Sequence, residues 1–135
     1  MLDFSDLNVW AILVATVTAF MLGGLWYGPL FGQAWLNAMG KAADEIEPSP
    51  TPFIVSFFSS LISAIVLSAL ITSLSIDTLM GGIVLGALMG LGFIATAMAS
   101  DTAFCGWGLR LFVIQSGYRV VYTIIMGAIL VSWPL

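Results

Sequence analysis

Between Asn8 and Trp133 the chain runs through four apolar stretches, each near the length that crosses a bilayer. A helical span needs about 20 predominantly apolar residues. The stretches that meet this are Asn8 to Tyr27, Phe53 to Leu74, Leu79 to Ser100 and Leu109 to Trp133. Only 7% of the residues are charged, against about 25% in a soluble domain. A water-soluble fold of 135 residues could not hide the 61% that are hydrophobic. The expectation is an all-α integral membrane protein: one polytopic domain over residues 1–135, built as a bundle of four transmembrane helices in the lipid bilayer.

The charge balance removes several function classes. Three Lys and Arg in the whole chain cannot supply the basic clusters that nucleic acid or an anionic membrane surface requires. No nucleic-acid partner is expected. There is no histidine and a single cysteine, Cys105, so an internal disulfide and the common metal clusters are both missing. Without an imidazole base, Cys105 reads as a packing residue near a helix end rather than a nucleophile. The start does not resemble a secretory signal, because Asp3 and Asp6 occupy the place of its basic residues.

The turn out of the first span is marked by Trp26-Tyr27-Gly28-Pro29. Aromatic rings with a polar edge favour the lipid–water boundary, and Pro29 disfavours helix at Gly28. Trp26, Tyr27 and Trp35 are therefore expected as interface anchors. Beyond them Trp35, Met39, Ala42 and Ile46 recur at helical spacing, with Asn37, Lys41, Asp44 and Glu45 mostly between. That pattern predicts a short interfacial helix between spans one and two, with two short turns as the alternative because Gly40 weakens it. Glu47 to Pro52, with three prolines, reads as a stiff connector.

Small residues repeat on two spans. Ala11, Ala15, Ala19 and Gly23 form one row, and Gly82, Gly86 and Gly90 another. Helices in lipid gain no hydrophobic drive from meeting, so they associate where small side chains let backbones approach. The glycine row is expected to meet either the alanine row within one chain or its own copy across a two-fold axis. Ser56, Ser59, Ser60 and Ser63 share a face of span two, where tight packing explains them better than a wet path. The short link Ser75 to Thr78 makes spans two and three antiparallel neighbours, and Asp101 to Gly108 reads as a loop. Four spans put both termini on one side. Lys41 and Arg110 place loops one and three in the cytoplasm, with the termini outside.

One cation lies inside a span. Arg119 stands ten residues into span four, where its insertion costs about 2.5–3.5 kcal/mol. Gln115, Arg119, Tyr122 and Thr123 follow helical spacing and form a polar stripe, with Ser116 beside them. They are the candidate polar or anion contact. The alternative is a structural Arg119 bonded to span-two serines and to freed carbonyls. No catalytic, cofactor-binding or metal-binding residues are expected, because paired carboxylates, a P-loop and an activated serine are all missing.

Asn8-Val9-Trp10, Gly24 to Trp35 (GLWYGPLFGQAW), Met39-Gly40, Gly117-Tyr118 and Met126-Gly127 together resemble an uncharacterised bacterial membrane family, domain of unknown function 1761. The resemblance covers nearly the whole chain, and Trp26 to Gly32 is its most specific part. It implies a small four-span protein of the bacterial inner membrane and no activity, substrate or catalytic residue. Relatives in that family often carry polar or acidic residues before span four, around Cys105, and vary at Arg119, so the resemblance implies that Arg119 belongs to this chain rather than to a family site. The expected function is non-enzymatic: a helix-packing module, without cofactor, that forms a homo-oligomer or accompanies a larger membrane-protein partner. The alternative is a small oligomeric transporter or channel for a small solute or anion.

Overall fold

A computed structural model describes residues 2, 4–5, 7–45 and 48–133. Asp3, Asp6, Ile46 and Glu47, each named in the expectations above, lie outside the described residues. Every regular element among the described residues is helical. The α-helices in chain order are α1 (Val9–Leu25), α2 (Gly32–Met39), α3 (Thr51–Ser73), α4 (Leu79–Met89), α5 (Thr96–Cys105) and α6 (Leu109–Ser132). A π-helical turn, Trp26–Leu30, joins α1 to α2, and a π segment, Gly90–Ala95, joins α4 to α5.

Counting across those π segments, four helices among the described residues are long and apolar enough to cross a membrane: Val9–Leu30, Thr51–Ser73, Leu79–Cys105 and Leu109–Ser132. Only 28–39% of the most apolar window in each is buried, so most of the apolar surface faces outward. Such a surface has no aqueous solution at this size, which is consistent with a multi-pass membrane protein.

Local chemistry sets the helix ends. The Asn8 side chain accepts from the Ala11 amide at 3.1 Å and caps α1. At the other end Gly28, disfavoured as helix by the proline after it, leaves the helical region for a ψ that glycine tolerates (φ −107°, ψ −106°). The chain bends there without stopping, because the Phe31 amide bonds back to the Trp26 carbonyl at 2.8 Å. It continues at once into α2. Gly40 (φ 71°) ends α2 in the left-handed region, and a 3₁₀ turn follows at Ala43–Glu45. The single interfacial helix expected as far as Ile46 is therefore two short pieces in the described residues, divided where glycine divides them. α3 begins at Thr51 and takes Pro52 into its first turn, where its missing amide proton costs nothing.

The third long helix departs from expectation. Asp101 to Cys105 are helical, and the loop shrinks to Gly106–Gly108, with Gly106 (φ 72°) closing α5. Cys105 is exposed, so it is not the packing residue the sequence suggested. The Thr96 hydroxyl bonds to the carbonyls of Gly92 (2.8 Å) and Phe93 (3.1 Å). That bond sits where the wider π turn leaves carbonyls under-used.

Packing runs through α6. Its most extensive neighbour is α4, followed by α1 and the π segment; α1 also packs on α3. The core is Ile12, Ala15, Ala19, Ala64, Leu67, Ile71, Leu85, Tyr118, Tyr122 and Met126. Of the alanine row, Ala11, Ala15 and Ala19 are buried and Gly23 is half-buried. The glycine row meets neither partner the sequence offered. It lies against α6: a Cβ at Gly82 would meet the Gly127 carbonyl and Val131, and one at Gly86 would meet the Thr123 and Ile124 backbone. One at Gly90 would meet Thr123 Oγ1 and Val120 Cα. Spacing told which face is small but not which helix would use it.

Candidate functional site

The turn at Gly28 folds α2 back against α6, and this brings together residues far apart in sequence. Trp26 Nε1 donates to the Ile114 carbonyl at 2.8 Å, across 88 positions. Its ring lies against Gly117, where a Cβ would stand 3.2 Å from Trp26 Cζ2. Tyr27 packs edge-on against Trp35 (centroids 5.2 Å) and against Tyr118 (5.6 Å). Trp26 also packs on Phe31, at 4.6 Å. The three residues expected as interface anchors are therefore half-buried parts of one aromatic cluster between α2 and α6.

Tyr118 links this cluster to α1. Its hydroxyl donates to the Ala19 carbonyl at 2.8 Å. The contact is possible because Gly23 has no side chain: a Cβ there would stand 2.9 Å from that hydroxyl. The small row on α1 thus serves as the seat of a tyrosine as well as a seam.

Arg119 is half-buried about midway along α6. Its guanidinium carbon lies 5.5 Å from the centroid of Tyr118 and 5.7 Å from that of Tyr122. Nη1 donates to the Tyr122 hydroxyl over a long 3.4 Å. The neighbours of the guanidinium are π faces and phenol oxygens rather than the span-two serines proposed as its structural partners. A cation over aromatic faces keeps part of its stabilisation without a counter-ion and remains open to one.

The expected stripe divides. Gln115 lies one helical turn from Arg119 on the same side and lines a cleft of about 450 Å³ with Ala38, Met39, Lys41, Trp107 and Leu111. Tyr122 is buried beneath Arg119. Thr123 faces the other way, against Gly90 of the glycine row, and its hydroxyl bonds to the Val120 carbonyl at 2.9 Å. Ser116 likewise bonds its own helix, at the Phe112 carbonyl. Both belong to packing, not to the stripe.

Sequence reasoning gave two members of the site another part. Tyr118 entered only through the family resemblance, and Trp35 only as an interface anchor. Trp35 Nε1 is buried without a hydrogen-bond partner among the described residues. Nothing in the sequence marks such an orphan. Among the described residues there is no group of three His, Cys, Asp or Glu that could hold a metal ion.

No curated protein and no solved structure matches the chain. A family model does match, over residues 10–131, under the description "Protein of unknown function (DUF1761)", and the chain belongs to that family.

Proposed function

We propose that this is a small multi-pass protein of the bacterial inner membrane that acts without catalysis, as a helix-packing module that self-associates or accompanies a larger membrane complex. The observation that carries this reading is α5, none of whose residues is buried. Gly92, Thr96, Ala99 and Ala103 are exposed along one side, and a Cβ at Gly92 would meet nothing within 4 Å. Lipid tails fill such a small-residue surface less well than another helix does. The glycine row of α4 does not support the reading, since α6 already covers it. Photobleaching steps of singly labelled chain in vesicles test it. Complexes of two or more copies, reduced by Ala99→Trp, are expected. Single steps at every protein-to-lipid ratio, together with no partner retained from native membrane, would refute it.

A second reading, a small oligomeric transporter or channel for a solute or anion, draws on Arg119 and its open aromatic seat. Flux into liposomes that Arg119→Ala abolishes would favour it over the first.

A further inference from the structure

Beside the Gly106–Gly108 loop, α5 and the first turns of α6 leave an open groove of about 390 Å³. Ala99, Thr102 and Ala103 form one wall, and Trp107, Leu109 and Phe112 the other. The same chain carries a large side chain that cannot fill it. Phe104 is 91% exposed, more than any other large apolar residue among the described residues. One residue is about 100° of helix, so Phe104 leaves α5 away from the wall that Ala103 forms.

Two charges accompany these features. Asp101 lies three residues before Phe104 and so shares its side of α5. Arg110 follows Leu109 of the opposite wall. Because residues 99–103 and 109–112 line one groove, Asp101 and Arg110 stand at about the same depth. Both are exposed, and neither makes an ion pair among the described residues. Asp101 lies within the third long apolar helix, where an acid facing lipid is expensive and calls for a partner.

A two-fold axis along the membrane normal sets two α5 helices parallel and face to face. The leading flank of one then meets the trailing flank of the other. On the exposed face of α5, Asp101 and Phe104 occupy one flank; Ala99 and Ala103, with the groove behind them, occupy the other. We infer that two copies of this chain associate about such an axis, Phe104 of each entering the α5–α6 groove of the other and Asp101 of each pairing with Arg110 of the other. The interface is isologous, so both contacts are made twice. This rests on the self-association proposed above and gives it a surface and a charge code.

The test is energy transfer between donor- and acceptor-labelled chains, tagged at the N-terminus, in micelles over a range of dilution. Asp101→Arg alone sets arginine against arginine at both contacts, and Arg110→Asp alone sets carboxylate against carboxylate. Each should weaken association about tenfold or more, because juxtaposed like charges penalise a pairing strongly. An equal mixture of the two variants should recover wild-type affinity, in mixed pairs only, since every contact then joins an Arg to an Asp. Phe104→Ala should weaken association about tenfold, the value of burying one such ring, and leave the unfolding midpoint of the monomer unchanged. If the single reversals associate as wild type does, or if mixing recovers nothing, this arrangement is overturned while self-association through another face stands. Recovery confined to a chain carrying both substitutions places the pair within one chain and also overturns it. Wild-type association by Phe104→Ala overturns it equally and leaves the groove to lipid. Absence of energy transfer in the wild type at every dilution overturns both this arrangement and self-association, and leaves only a different membrane protein as partner.

Discussion

Gly86 and Gly92 lie on the same long helix and carry the same residue, yet replacing each with alanine should have opposite effects. At Gly86 an added Cβ would collide with the Thr123 carbonyl oxygen. It would stand 2.7 Å from the Thr123 carbonyl carbon and 2.8 Å from Ile124 Cα, where ordinary contact begins at 3.4 Å. All three atoms are backbone, so no side chain can rotate out of the way. The carbonyl carbon alone demands that the helices part by about 0.7 Å at that point, and the oxygen, closer still, demands more. A gap of this size forfeits roughly a quarter to a half of the dispersion energy of each affected contact. Overpacking costs about 1–3 kcal/mol, and alanine recovers up to about 1 kcal/mol of that through helix propensity. The net expectation for Gly86→Ala is a loss of about 1–2 kcal/mol, or roughly five- to thirty-fold in the unfolding equilibrium. Gly92→Ala meets nothing and should be neutral or stabilise by up to about 1 kcal/mol. Reversible unfolding in mixed SDS micelles, followed by far-UV circular dichroism, reads both. Equal stability of the two variants would refute the view that α4 and α6 are held at backbone distance by the glycine row.

Two further substitutions probe the seam. Arg119→Met should leave the unfolding free energy within about 1 kcal/mol of wild type in the same assay, because the lost ring contacts are offset by the lost desolvation cost; a drop of several kcal/mol would show that the guanidinium holds the bundle together. Trp26→Phe keeps most of the ring and removes the bond to the Ile114 carbonyl. It should cost about 0.5–1.5 kcal/mol, and an unaltered unfolding midpoint would mean that α6 satisfies this carbonyl by itself.

The parts of this fold that could be read from the chain are those decided by short-range chemistry. The four apolar runs, the bend before Pro29, the cap at Asn8 and the break at Gly40 all follow from residues within a turn of the feature. The face that Gly82, Gly86 and Gly90 share was equally legible. Its partner was not, since α1 and α6 both present small residues and periodicity carries no information about neighbours. The extent of α5 was misjudged because Asp101 and Thr102 look like loop residues, whereas the chain keeps its helical bonds until Gly106 adopts a positive φ. At the candidate site, the spacing of Gln115, Arg119 and Tyr122 identified one wall. The other wall depends on how sharply α2 returns toward α6 at Gly28, an angle that no residue pattern specifies. Thr123 was assigned to the stripe because spacing places it one turn from Arg119, but spacing does not show that α4 comes close enough there for Gly90 to lie against its hydroxyl.

The π segment at Gly90–Ala95 changes how such patterns should be counted. An α-helix advances about 100° per residue, and a wider turn slips the count by close to one position. Residues before the slip and after it therefore keep different phases, even though the helix is unbroken. Gly82, Gly86 and Gly90 point inward to α6, while Gly92 and Ala99 point outward. A single stripe drawn through all five would describe no real surface. One long helix here has two addresses, one for its own bundle and one for whatever lies beside it.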